Sequence, residues 1–192
     1  YERKPHHMRI LYTASEALPY AASGGLADVA GSLPAALCKA GHDCRVVLPL
    51  YKSIKPELRK DLRFLMNFTV DVGWRKQYCG VFEGHANNVT YYLLDNEYYY
   101  ARDGLYGFYD DCERFVFLSR AVMELIRHID WKPQIINCND WQTALVPVYY
   151  QTYYKYQHGY EDIKTVFTIH NIQYQGKYGM DVLNEVMGIP MY

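Results

Sequence analysis

Residues 8–31 read MRILYTASEALPYAASGGLADVAG, and this stretch indicates the fold class of the whole chain. Its first eight residues form an apolar run of strand length. Gly41 then stands where a helix C-cap glycine belongs, and a β-branched run, CRVVLP, begins at Cys44. A strand, a helix and a second strand at this close spacing predict parallel strands joined by a right-handed crossover. Between the strands, the pair Gly24 and Gly25 precedes apolar residues at helical spacing, namely Leu26, Val29, Ala30, Leu33 and Leu37.

Two residues inside this predicted helix are unfavourable there. Pro34 removes a backbone hydrogen bond, and Gly31 weakens helix propensity. We therefore expect a kink or a break in the helix near these positions.

The same alternation returns after one interruption. Residues 64–95 contain three β-rich segments without a helix between them, which predicts an antiparallel insertion or edge. Asp110, with Glu113 three residues later, predicts a capped helix start. QIINCND and KTVFTIHN read as strands on either side of a helical segment, residues 141–157, that Pro147 interrupts. The apolar stripe of the helix that follows Asp110 comprises Phe115, Leu118, Val122, Leu125 and Ile129.

These patterns predict one α/β domain over residues 1–192. We expect a Rossmann-like, mostly parallel sheet with helices on both faces and a short antiparallel β insertion.

Composition excludes several classes of partner. Twenty basic residues against 21 acidic ones give a net charge of −1, without the basic surface that nucleic-acid binding requires. No apolar run approaches the roughly 20 residues that span a bilayer, and the leading YERKPHH lacks the apolar core of a signal peptide. The five cysteines and seven histidines show no metal-ligand spacing. We expect a cytoplasmic protein with reduced thiols and no nucleic acid, membrane, metal or cofactor.

Polar residues follow three of the predicted parallel strands. They are Ser15-Glu16 with the Gly24-Gly25 turn, Asn139-Asp140, and His170-Asn171. Ligands of open parallel sheets bind beyond the carboxyl ends of the strands, so these groups are expected at one edge. Glycines that open a helix allow backbone N–H groups to approach a phosphate or sugar hydroxyls.

Structural alternatives exist for each group. GGLADVAG is neither a dinucleotide-binding G-x-G-x-x-G nor a Walker A loop, so a tight turn without a ligand remains open. His170 can be a histidine satisfied by neighbouring backbone, and Asp140 can be the N-cap of the helix that begins at Trp141. The tyrosine-rich EYYYARDGLYGFYDD suits stacking against sugars, but a solvated loop has the same composition.

Four segments in order, SGGLADVAGSLPAAL, GLYGFYDDCERFVFLSRA, CNDWQTALVP and FTIHNIQYQG, resemble the N-terminal catalytic domain of bacterial glycogen synthases and plant starch synthases. The resemblance covers residues 8–192. It implies the GT-B architecture, in which the active site lies between two Rossmann-like domains. The implied reaction is retaining transfer of glucose from ADP-glucose to the non-reducing end of an α-1,4-glucan. The chain is then the acceptor-side half of a truncated enzyme without its C-terminal nucleotide-binding domain, and is expected to be inactive alone.

The resemblance also implies roles for individual residues. Donor-binding residues would be Gly24, Gly25 and Asp28, and catalytic residues would be His170, which holds the donor glucose near the reacting carbon, and Asp140. Tyr106 and Arg102 lie in the tyrosine-rich stretch, whose hydroxyls and polar groups suit a saccharide, and we expect them to bind the acceptor.

One position departs from the family pattern. The family opens the glycine loop with K-T-G-G-L or K-V-G-G-L, and Ala22 stands at the lysine position here. A lost lysine-phosphate contact is worth about 1.5–3 kcal/mol. Either another cation substitutes or the protein is a weak or altered synthase. A non-catalytic glucan-binding or regulatory homologue is the alternative function.

Overall fold

The computed structural model describes residues 7–190 and shows a seven-stranded mixed sheet flanked by helices. The leading segment YERKPHH lies almost entirely outside the described residues. The strands are β1 (Arg9–Thr13), β2 (Asp43–Pro49), β3 (Arg63–Val72), β4 (Arg75–Ala86), β5 (Val89–Asp95), β6 (Ile135–Asn139) and β7 (Lys164–Thr168).

Six α-helices connect or follow the strands in the described part of the chain. They are α1 (Gly25–Lys39), α2 (Pro56–Arg59), α3 (Glu97–Tyr100), α4 (Asp111–His128), α5 (Leu145–Tyr149) and α6 (Val182–Glu185). A 3₁₀ turn, Trp141–Thr143, precedes α5, and a π-helical turn, Tyr150–Tyr154, follows it. None of the helices at residues 7–190 is long and apolar enough to cross a membrane.

The strand order is β3-β4-β5-β2-β1-β6-β7. The five strands from β5 to β7 are parallel neighbours, and β4 runs antiparallel to both β3 and β5. The mostly parallel sheet and its antiparallel edge are both confirmed.

The direction of the chain reverses at β1. From β1 the chain passes through α1 to β2 on one side, whereas β6 pairs with the other side of β1. Right-handed crossovers in opposite directions place α1 on one face of the sheet and α4 and α5 on the other. The crevice beyond the carboxyl ends of β1 and β6 is therefore the topological switch point, where doubly wound sheets bind ligands.

Helix α1 runs without a break through Pro34, so the expected break is wrong. Pro34 is buried against the sheet, and this apolar burial offsets the missing hydrogen bond, whereas Leu33 is exposed. Gly31 is needed for packing, because a Cβ there would approach the Cβ of Leu18 to 2.9 Å.

The apolar stripe of α4 is buried as predicted, but the capping chemistry at its start differs. Asp110 occupies the N-cap position without a side-chain cap bond, because its carboxylate accepts two hydrogen bonds from Arg102, at 2.5 and 2.7 Å. Asp111 instead accepts from the backbone N–H groups of Gly107 and Phe108. An ion pair with a residue eight positions earlier in the chain thus replaces the cap.

Pro147 does not interrupt its helix. It lies in the first turn of α5, where backbone N–H groups have no intrahelical partner, so proline costs no hydrogen bond there.

All five cysteines are free thiols, and four of them are buried. Burial raises the pKa of the Cys44 and Cys138 thiols to about 12, which keeps them protonated and unreactive at neutral pH.

Candidate active site at the sheet switch point

The residues after β1 take part in a buried hydrogen-bond network below the crevice. The Ser15 hydroxyl lies 2.6 Å from the Tyr106 hydroxyl, and the Tyr51 hydroxyl donates to the Ser15 carbonyl at 2.7 Å. Burial and the Glu16 carboxylate raise the pKa of Tyr106, and Asp140 adds to the effect. The Tyr106 hydroxyl therefore stays protonated at neutral pH.

Glu16 holds the loop that carries the glycine pair. Its carboxylate is 2% exposed and accepts from both the backbone N–H and the hydroxyl of Ser23, at 2.8 and 2.6 Å. Glu16 is predicted at this edge of the sheet without a role. An acidic residue shortly after β1 and seven residues before Ser23 is the sequence signal for this contact.

Open space lies in front of Gly25, where a Cβ would meet no atom of residues 7–190 within 4 Å. A Cβ on Gly24 would lie 3.8 Å from Glu16 Oε1, an ordinary van der Waals contact. Gly24 is the N-cap of α1 with an extended backbone, φ −159°, so its conformation does not require glycine. Neither backbone strain nor internal packing therefore explains these glycines.

Two further residues flank this helix start. Asp28 lies exposed in the first turn of α1, and Ala22 is exposed just before the glycines.

Asp140 is a structural link between two strand ends. Its Oδ1 accepts from the backbone N–H of His170 at 2.7 Å and from that of Asn171 at 3.4 Å. Asp140 occupies the N-cap position of the 3₁₀ turn that begins at Trp141, as predicted, but its side chain makes no cap bond to that turn. The backbone of Asp140, φ 58° and ψ −180°, is one that L-residues rarely adopt. This strained conformation aims the carboxylate at the end of β7 rather than at its own helix.

The imidazole of His170 is anchored separately. Its Nε2 lies 2.8 Å from Oδ1 of Asn139, which is fully buried. His170 itself is half-buried, so one side of the ring faces the protein and the rest is accessible.

Trp141 holds the loop that follows His170. Gly176, at φ +57°, packs on the indole so closely that a Cβ would overlap it, and the Tyr178 ring lies 5.8 Å from the Trp141 ring. The Asp140-Trp141 pair thus positions both ends of the HNIQYQG segment.

The guanidinium of Arg102 is engaged mostly by residues near it in the chain. Its guanidinium donates to both oxygens of Asp110 and twice to the Tyr98 carbonyl, and it stacks on the Tyr98 and Phe108 rings. These bonds use four of its five N–H groups. The structure therefore gives Arg102 a bracing role in the loop before α4.

Within residues 7–190, no group of three or more histidine, cysteine, aspartate or glutamate side chains could hold a metal ion.

The doubly wound sheet, with polar side chains gathered at its switch point, is an α/β domain that matches a catalytic domain of the GT-B glycosyltransferase type. The profile of the starch synthase catalytic domain matches residues 9–192, and the chain belongs to that family.

Similar proteins agree with this assignment. The chain is 53% identical over 182 residues to a glycogen synthase of Clostridium botulinum (strain Alaska E43 / Type E3), covering 94% of this chain and 38% of that protein. It is 52% identical over 185 residues to a glycogen synthase of Clostridium beijerinckii, covering 96% and 39%. The catalytic domain of starch synthase IV from Arabidopsis thaliana, bound to ADP and acarbose, superposes with a TM-score of 0.85 at 30% identity, covering 94% of this chain and 37% of that one. The chain thus spans about two fifths of the length of these relatives.

Proposed function

We propose that the protein carrying this chain is a retaining glycosyltransferase that moves glucose from ADP-glucose to the non-reducing end of an α-1,4-glucan. The chain would supply the acceptor-side wall of the cleft. The observation that carries the proposal is the open space before Gly25 at the switch point, in a chain of the starch synthase family. Two further facts support it, namely relatives named glycogen synthase and a neighbour bound to ADP and acarbose.

The donor would lie across the start of α1. Free N–H groups of the first helical turn and the helix dipole stabilise the negative charge that grows on the leaving diphosphate. Because Gly24 and Gly25 have no side chains, the diphosphate or the transferred glucose can reach these groups. The exposed Asp28 carboxylate would bind a donor hydroxyl.

His170 and Asp140 would act on the transferred glucose. The transition state resembles an oxocarbenium ion, so a nearby carboxylate and a well-placed imidazole stabilise it. Asp140 has one oxygen committed to the His170 backbone, which leaves its second oxygen for a sugar. Tyr106 would contact the acceptor through its neutral hydroxyl. Arg102 is left out of this proposal because its donors are occupied.

Transfer would also need residues that the relatives carry outside the matched two fifths of their length. Alignment of donor with acceptor, and exclusion of water, need both walls of a cleft. The 192-residue chain alone would then transfer no glucose. The free, buried thiols suit the reducing cytoplasm, which we propose as the compartment.

Incorporation of radiolabelled glucose into glycogen tests the proposal. The whole protein is expected to incorporate label from ADP-glucose, and the isolated chain is expected to stay at background. Whole protein that binds maltohexaose but never incorporates label would instead support the glucan-binding alternative. Robust incorporation by residues 1–192 alone would show that the catalytic apparatus lies within them.

A further inference from the structure

The side-chain amide of Asn139 has one allowed orientation. Its Nδ2 donates to the Thr13 carbonyl at 3.0 Å and to Oδ1 of Asn137 at 2.7 Å. The Thr13 carbonyl is a backbone acceptor that cannot donate, and the Asn137 carbonyl lies 3.4 Å from the same Nδ2. A flipped Asn139 amide would set its oxygen against these carbonyls in a fully buried position and lose their hydrogen bonds. The oxygen of Asn139 must therefore face His170.

This orientation determines which ring nitrogen of His170 carries the proton. An amide oxygen only accepts hydrogen bonds, so the 2.8 Å contact between Asn139 Oδ1 and His170 Nε2 requires a proton on Nε2. We infer that Asn139 is a positioning residue that holds neutral His170 as the Nε2–H tautomer and leaves Nδ1 as its hydrogen-bond acceptor for a ligand. No hydrogen bond from residues 7–190 reaches Nδ1.

The tautomer selects the kind of ligand group. A bare Nδ1 lone pair accepts from a hydroxyl, whereas ionised phosphate oxygens carry no proton to give it. Neutral His170 is thus matched to a sugar hydroxyl and not to a diphosphate. This part of the inference rests on the proposed function, since it takes the sugar to be the donor's glucose.

Ring and backbone of His170 have independent anchors. Asp140 binds the backbone N–H, and Asn139 binds the ring. Removing the Asn139 amide should therefore release the tautomer while the loop stays attached through Asp140.

Long-range ¹H–¹⁵N NMR of the labelled chain, above the pH at which imidazoles are charged, reports the tautomer directly. The His170 signals are assigned by their loss in His170→Gln. We expect a protonated Nε2 and a bare Nδ1. The same signals of the urea-unfolded chain serve as the reference for an unconstrained ring. A proton on Nδ1 of His170, or an averaged signal like that of the unfolded chain, overturns the inference, and this measurement needs no variant of Asn139.

Two variants extend the test. Asn139→Leu is expected to give an averaged tautomer signal, whereas Asn171→Ala, which leaves the Asn139 amide intact, should keep the Nε2–H pattern. In the whole protein, Asn139→Leu should weaken ADP-glucose binding about tenfold, the cost of one hydrogen bond. A fixed Nε2–H signal in folded Asn139→Leu contradicts the role of Asn139. A confirmed tautomer in a whole protein that transfers no glucose would instead overturn only the proposed function.

Discussion

The Asp140 carboxylate accepts a hydrogen bond from the backbone N–H of His170 at 2.7 Å. Asp140 follows β6, and His170 follows β7. Two strands that pair side by side are thus also joined beyond their ends. In this bond, an aspartate with a strained backbone conformation, φ 58°, places its carboxylate against the end of the neighbouring strand.

Two substitutions of Asp140 distinguish the effect of its backbone strain from the effect of losing its carboxylate. Both Asp140→Ala and Asp140→Gly leave the His170 N–H without its acceptor, but glycine adopts the observed φ of 58° without strain. We expect the free energy of unfolding, measured by urea denaturation, to be about 1–3 kcal/mol higher for Asp140→Gly than for Asp140→Ala. Both variants should lose transfer activity in the whole protein. Equal stability of the two variants would contradict the strained conformation.

His170→Ala should affect catalysis far more than stability. The half-buried ring makes one hydrogen bond, to Asn139, so the free energy of unfolding should fall by only about 1 kcal/mol. Turnover of the whole protein should fall by about 10²–10³-fold, as expected for loss of one preorganised group. Steady-state kinetics beside thermal unfolding provides the measurement, with the exposed His158→Ala as matched control. Unchanged turnover would remove His170 from the site.

Gly25→Ala tests whether the open space before α1 serves a ligand. A Cβ there meets nothing in the described protein, and alanine favours helix, so stability should be unchanged or higher by up to about 1 kcal/mol. Affinity for ADP-glucose, measured by calorimetry on the whole protein, should nevertheless fall. Gly31→Ala is the opposite control, because its Cβ would crowd Leu18 and lower stability without reaching the crevice. Undiminished affinity in Gly25→Ala would mean that the donor lies elsewhere.

Ala22→Lys restores the cation of the family pattern. Ala22 is exposed beside the glycine pair, so a lysine there can extend toward the donor without disturbing the core. If no other cation fills this place, affinity of the whole protein for ADP-glucose should rise by about 10- to 100-fold, equivalent to one charged hydrogen bond. Ala22→Gln, of similar length without charge, should give little gain. No gain with lysine would show that the diphosphate is bound by other groups.

Local patterns determined the elements of this fold. The apolar stripe of α4, the strand runs and the C-cap at Gly41, with its φ of +95°, all follow from spacing and backbone preference within a few residues. Because parallel strands place their carboxyl ends at one edge, the sequence also predicted that Glu16, Asp140 and His170 meet there. Burial against the sheet made Pro34 compatible with an unbroken helix, which a rule based on local hydrogen bonds does not capture.

Only the tertiary structure decided what those side chains bind. Asp110 and Asp140 both read as helix caps, yet one pairs with Arg102 and the other with the backbone of His170. The His170 ring depends on Asn139, 31 residues away along the chain, whose amide is oriented in turn by β1. A capping pattern lies within one turn of helix, whereas Arg102 is eight residues from Asp110, and Asn139 and Asp140 reach His170 only when β6 and β7 pair. The free energy of a buried, fully bonded polar group then outweighs the local preference.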